Sequence, residues 1–298
     1  MRLLRLLPLT ALCCALPALA VGPGSHWRQG WNLGRAPAPL VSAPAPGQTT
    51  IALLRLQEAG SHWQALAENR LAGPVQVLLR PAPGSPILPG LPLQAVLPAS
   101  AGRLLARLQP PAGSSTLKLQ LEAVPGDPTA RPRDVLYQLP FDAPRVAVSQ
   151  APQGRFSHDD AENRDAIDFA LPEGTPVLAA RAGTVMQVQV GYRDGGQDPA
   201  RDLSRANVIR ILHEDGSMAV YAHLQANGAQ VRPGQLVQAG QRIGRSGNTG
   251  YSTSPHLHFA VQVNAGMRLR SIPVRITTPQ GELRFAREGA AGVDAAGR

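Results

Sequence analysis

The chain has 298 residues, 43% of them hydrophobic, 16% charged and 4% aromatic, with a formal net charge of +9. That length allows two domains. A basic balance suits a polyanionic setting such as a cell envelope, while the scarcity of aromatics and the lack of any basic–aromatic patch exclude a stacking platform for nucleic acid.

In chain order, Arg2 and Arg5 precede an apolar run that ends in Ala18-Leu19-Ala20, the small-x-small pattern of a signal-peptidase site. The run is short and broken by Pro8 and Pro17, so residues 1–20 are predicted to be an export signal rather than a membrane span. Neither Cys13 nor Cys14 follows the small residues of a lipid-attachment signal. Both cysteines lie in this segment, so the remainder is expected to lack disulfides and thiolate ligands and to carry a charge of +7 without Arg2 and Arg5. Any metal site must then be built from histidines and carboxylates. No other apolar run is long enough to cross a bilayer.

Residues 21–150 hold 19 of the 29 prolines, which disfavours long helices and favours short strands joined by turns. Strands are predicted at Gln48–Leu56, Val75–Arg80 and Thr116–Leu121, giving a small N-terminal β domain over residues 21–145. His26 and His62 sit in a twice-occurring Ser-His-Trp tripeptide with no ligand-type neighbours, and read as surface or packing residues. Pro140, Pro144, Pro152 and Gly154 mark a linker at residues 146–154. Beyond it, strand-like runs alternate with turns such as Pro172-Glu173-Gly174 and Pro233-Gly234. Asp215-Gly216 between Asn207–His213 and Met218–Leu224 signals a hairpin. Gly191–Ala206 is a charged, glycine-bearing segment that either walls a groove or is a solvated loop. A second domain is therefore expected over residues 155–278, followed by a Gly/Ala-rich tail, 279–298.

Five of the seven histidines lie in this second half. In a strand reading of Pro255–Val263, His256 and His258 share one face while Leu257, Phe259 and Val261 point into a core. Such a pair can supply a metal ligand and an acid/base group, or two ligands, although two histidines on a solvated face look the same. Alternation along Met218–Leu224 puts His223 on the face of Ala219 and Tyr221, opposite Val220, Ala222 and Leu224. Asp168 stands alone between Ile167 and Phe169, where an unpaired carboxylate is costly unless solvated, capped or metal-bound. His158 precedes it in a polar loop. His213 is expected to support the hairpin or the site rim rather than bind metal.

Four stretches together are similar to the lysostaphin/LytM-type zinc peptidases: Ala166–Val177, Ala179–Val185, Tyr221–Leu224 and Gly247–Phe259, spanning about residues 155–265. The resemblance implies an antiparallel β-sheet domain with zinc in a groove. It implies one Zn2+ held by His158, Asp168 and His258, with His223 and His256 as the non-ligand catalytic pair. Substrates in the family are peptide bonds of peptidoglycan, so the implied partners are its stem peptides. The chain departs from the family's commonest pattern in one place. The first ligand usually lies four residues before the aspartate, where this chain has Arg164, a guanidinium that cannot bind zinc. Ser157-His158, ten residues before Asp168, resembles the Ser-His of a variant with a longer loop.

Two imidazoles and a carboxylate leave a fourth zinc position open to water, as in hydrolytic sites. Zinc lowers that water's pKa to about 7, and a nearby imidazole can take its proton. The expectation is a mainly β, exported metalloendopeptidase of periplasm or extracellular space that cuts peptidoglycan cross-links. His256 is expected to act as base and His223 to support the oxyanion. The rivals are a non-catalytic wall-associated regulator and an exported peptidase acting on Gly-rich protein segments.

Overall fold

The computed structural model describes residues 51–110, 117–154 and 157–285, all within one compact unit spanning Ala36–Arg298. The export signal, His26 and most of the tail lie outside the described residues. The first six strands are β1 (Ala52–Ala59), β2 (His62–Asn69), β3 (Val75–Pro81), β4 (Leu93–Leu97), β5 (Gly102–Leu108) and β6 (Leu119–Pro125). They form two three-stranded antiparallel sheets, β1-β2-β5 and β4-β3-β6. Gly60, at φ +64, makes the tight β1–β2 turn. Ala65, Leu79 and Leu108 form a small apolar core of this N-terminal module.

The chain continues through β7 (Leu136–Tyr137), β8 (Val148–Gln150), β9 (Ile167–Ala170), β10 (Pro176–Leu178), β11 (Gly183–Gln189) and β12 (Gly195–Gly196). A four-residue helix, α1 (Pro199–Asp202), follows. Its first turn is set by Asp198, whose carboxylate accepts from Ala200 N, and by Pro199. Then come β13 (Val208–Leu212), β14 (Met218–Ala222), β15 (Leu236–Val237), β16 (Arg242–Arg245), β17 (Gly250–Tyr251) and β18 (His256–Asn264). The last strands are β19 (Leu269–Ile272), β20 (Arg275–Thr278) and β21 (Gly281–Glu282). The main sheet runs β15-β11-β13-β14-β18-β9-β8, with β19 also pairing β18. Residues 146–154 thus contribute β8 to the sheet edge. The hairpin at Asp215-Gly216 is present as β13–β14, with Gly216 at φ +78.

Register decides which side chains meet. On β18, Leu257 lies opposite Phe169 and Phe259 opposite both Ile167 and Tyr221. These residues are essentially inaccessible and form the back-face core, with Tyr221 and Phe259 rings 5.3 Å apart. The other face of the same strands carries His258 opposite Asp168 and Ala222, then Ala260 opposite Val220, then Gln262 opposite Met218. At its far end this front face is covered by the N-terminal module. Met186, Met218 and Leu269 share one buried cluster with Ala52, Ala67, Leu71, Val75, Val77 and Leu97. Polar links reinforce the contact: Ala72 N donates to Met186 O (2.9 Å), Asn264 Nδ2 to Gly126 O (3.1 Å) and Met267 N to Gln76 Oε1 (2.8 Å). Among the described residues no helix is long and apolar enough to cross a membrane.

His213 closes the hairpin away from the site. Its ring lies edge-on to Tyr137 at 5.6 Å and its Nδ1 donates to Ala182 O at 2.8 Å. Burial, with Arg181 nearby, outweighs the Ala182 bond and Asp215 and holds this imidazole down at about 4. The unfolded chain then binds a proton near pH 6.5 that the folded chain refuses. Stability from this group is full above about pH 6.5 and is lost as pH falls towards 4, by roughly 3 kcal/mol. Urea unfolding of chelated protein at pH 7 and pH 4.5 should show that loss, and His213→Gln should flatten it. An unchanged slope in the variant would assign the acid sensitivity to other groups.

Candidate metal centre

Asp168 is at the middle of the site. It projects from β9 onto the front face directly opposite His258 of β18. Its Oδ1 lies 2.9 Å from His258 Nδ1, 3.3 Å from His158 Nε2 and 4.0 Å from His256 Nε2. Burial pushes this carboxyl up, but the imidazoles of His158 and His258 beside it more than reverse that and hold it well below the usual carboxylate range. It is therefore an anion at any ordinary pH. His158, His258 and Asp168 are all buried and offer donor atoms within 4.8 Å of one another.

The tautomers are fixed by carbonyls, which can only accept. His158 Nδ1 donates to Ala151 O at 3.0 Å, so its Nε2 bears the lone pair in the neutral ring. That Nε2 is fully buried and has no hydrogen-bond partner. A lone pair facing a carboxylate oxygen is repulsive until a cation lies between them. Although burial disfavours charge on His158, Asp168 overrides it and raises the group, so a proton is attracted where a metal ion would bind. Two imidazoles and one carboxylate, with an orphaned nitrogen aimed at the carboxylate, fit Zn2+ by donor type. Arg164 stays exposed and takes no part. The ten-residue spacing is bridged by a compact loop in which Asp160 Oδ1 accepts from the N–H groups of Glu162 and Asn163.

His223 reaches the site by a route that alternation does not describe. β14 ends at Ala222, and His223 has φ +60, the left-handed region rare for residues with a side chain. Continued strand geometry would send it to the Tyr221 face. The turn instead sets its ring 4.5 Å from that of His256 and 5.8 Å from that of His258. The expectation that His223 shares a face with Tyr221 by alternation is corrected on this point. Its Nδ1 donates to Thr249 O at 2.7 Å, while His256 Nδ1 donates to Ser254 O at 2.8 Å. Each neutral ring thus keeps its Nε2 lone pair free. Burial, reinforced by His256 and His258, holds His223 down at about 3, and burial also lowers His256. His62 takes no part in the cluster.

Residues without a strong sequence signal hold this arrangement. Thr249 Oγ1 donates to Leu224 O at 2.8 Å and accepts from Asn207 N at 3.1 Å; Asn207 Nδ2 donates to Leu224 O and to Tyr192 O. The segment Gly191–Ala206 is a wall, pinned where β12 pairs in parallel with β17. Beside it lies a cleft of about 410 Å³, lined in part by Glu173, Arg193, Asp194, Asn248 and Thr249. Gly250 is essential to the pairing: it has φ +81, and a Cβ there would meet the Ala206 backbone at 2.7 Å. Gly250→Ala should cost about 1–3 kcal/mol and disturb the Thr249 carbonyl that orients His223. Thermal unfolding and turnover should both fall, and a variant with full turnover would break that link.

A buried set of two imidazoles and one carboxylate able to hold a single cation, with two more imidazoles alongside, is the donor pattern of mononuclear metallohydrolases. Comparison with known proteins gives the class a family. Residues 162–269, about a third of the chain, match the model of peptidase family M23. It is 36% identical over 115 residues to the DD-carboxypeptidase/endopeptidase Mpg of Neisseria meningitidis serogroup B, covering 38% of this chain and 23% of that protein. It is 39% identical over 100 residues to lysostaphin of Staphylococcus simulans, covering 33% and 18%. Among solved structures, the catalytic domain of lysostaphin from Staphylococcus simulans matches at 33% identity, over 40% of this chain and 80% of that one, with a TM-score of 0.30. The chain spans only about a fifth to a quarter of the length of these curated relatives.

Proposed function

We propose that the protein is an exported zinc endopeptidase that hydrolyses peptide cross-links of bacterial peptidoglycan in the periplasm or outside the cell. The observation that carries this reading is the orphaned His158 Nε2 facing Asp168 and His258, beside two imidazoles whose Nε2 lone pairs are free. His158, Asp168 and His258 would hold the ion, which when bound supplies a Lewis acid and a water of lowered pKa. The chain's own part is proton handling. His256 takes the proton of the attacking water at Nε2, its Nδ1–H anchored on Ser254 O, and returns it to the leaving amine. His223, positioned by Thr249 O, supports the oxyanion once it has taken a proton from solvent at Nε2, a step that the developing negative charge favours against its burial. The substrate class follows from relatives whose names describe endopeptidases, including a peptidoglycan DD-endopeptidase of Vibrio cholerae.

Muropeptide analysis of sacculi digested by the protein tests the reading. Cross-linked species should fall with the wild-type chain and persist with Asp168→Ala. Equal persistence in both overturns it, and cleavage of a Gly-rich peptide instead would move the substrate to exported proteins.

A further inference from the structure

Arg210 is a cation that the chemistry above does not use. It stands on the front face of β13, opposite Val220 of β14, and is only 9% exposed. No carboxylate forms an ion pair with it among the described residues. Instead its Nη1 donates to Gln262 Oε1 at 2.7 Å, reaching across β14 to β18, while its Nε has no partner. Gln262 is itself buried and lies on the same strand face as His256 and His258. With its oxygen engaged by Arg210, its amide nitrogen is turned towards the loop that carries His158 and donates to Glu162 O at 3.0 Å.

That loop is closed by its own hydrogen bonds. Asp160 caps the N–H groups of Glu162 and Asn163, and Arg164 N closes on Asp160 O at 3.0 Å. A second anchor comes from β19, where Ser271 N donates to Ala161 O at 2.8 Å and Ser271 Oγ accepts from Asp165 N at 3.0 Å. We propose that Arg210 and Gln262 are positioning residues that clamp the 157–165 loop onto the sheet and so hold His158 beside Asp168. The need arises from the ten-residue spacing. A ligand four residues before Asp168 would be placed by the approach to β9 itself, whereas His158, ten residues before, requires its loop to be fixed from outside. Arg210 orients the amide, because a guanidinium can only donate and therefore must face Oε1, leaving Nε2 for the loop. The inference rests on the metal-site reading, not on the substrate.

The test is zinc affinity measured by chelator competition, with no substrate present, alongside thermal unfolding of the zinc-free chain. Gln262→Glu still accepts from Arg210 but cannot donate to Glu162 O. The paired variant Arg210→Met with Gln262→Met replaces both partners by apolar groups and strands no buried donor. Each should weaken zinc binding by about tenfold or more, within the range seen when supporting partners of ligands are lost. The visible spectrum of the cobalt-substituted protein should change with them. Zinc-free unfolding of Gln262→Glu should stay near wild type, which separates positioning from general destabilisation. Unchanged affinity in both folded variants overturns the clamp and leaves the metal site standing. Affinity that falls only in step with zinc-free stability also overturns it. A wild-type chain that binds no zinc removes the metal site and the clamp together.

Discussion

Alanine at Asp168 is expected to empty the metal centre and end hydrolysis while leaving the fold intact. Asp168 is the one anionic donor in the cluster, and its Oδ1 faces both partner imidazoles at 2.9 and 3.3 Å. Without it, His158 and His258 remain as a two-nitrogen site facing no charge. Zinc measured in the purified chain should drop from about one equivalent to near zero. Loss of a Lewis acid worth some 4 kcal/mol corresponds to a rate fall of about a thousandfold. The back-face core of Phe169, Phe259 and Tyr221 is untouched by the change, so circular dichroism should not move. A variant that keeps its zinc would show that the carboxylate is not a ligand.

His223→Ala should give the opposite separation, with zinc retained and turnover lost. The ring lies beside that of His256, tilted at 44°, and its donor bond runs to the Thr249 carbonyl. Removing a positioned proton carrier costs about 10²–10⁴ in kcat, while KM should change little if the substrate is gripped by the groove walls. Loss of zinc in step with activity would instead make His223 a ligand. His256→Ala should behave likewise. A difference between the two in the pH dependence of kcat would tell the base from the oxyanion partner.

Much of this site was legible in the residues because strands report their faces with a period of two. The pair His256/His258, the apolar flanks of Asp168 and the hairpin around Asp215-Gly216 all follow that rule, and the sheet places them as the rule requires. His223 does not follow it, because one left-handed residue resets the alternation and no glycine or asparagine marks the place. Thr249 acts through its backbone carbonyl, so its side-chain type carries no hint of that role. Arg210 and Gln262 are 52 residues apart and meet only because β13, β14 and β18 are neighbours, a fact of topology rather than of local pattern. The N-terminal strands were foreshadowed by proline content, but their seat on the front face was not. That depends on Met186, Met218 and Leu269 being left uncovered by the rest of the sheet.

The shared apolar cluster has a practical consequence for anyone dissecting the chain. A fragment cut to the family segment, residues 162–269, would lose His158, the strand β8 that borders β9, and the whole cover over three large side chains. Burying each such side chain is worth about 1.5–3 kcal/mol, a large share of an ordinary domain's stability. Such a fragment would come out sticky and metal-poor, and its silence in an assay would say nothing about the parent chain.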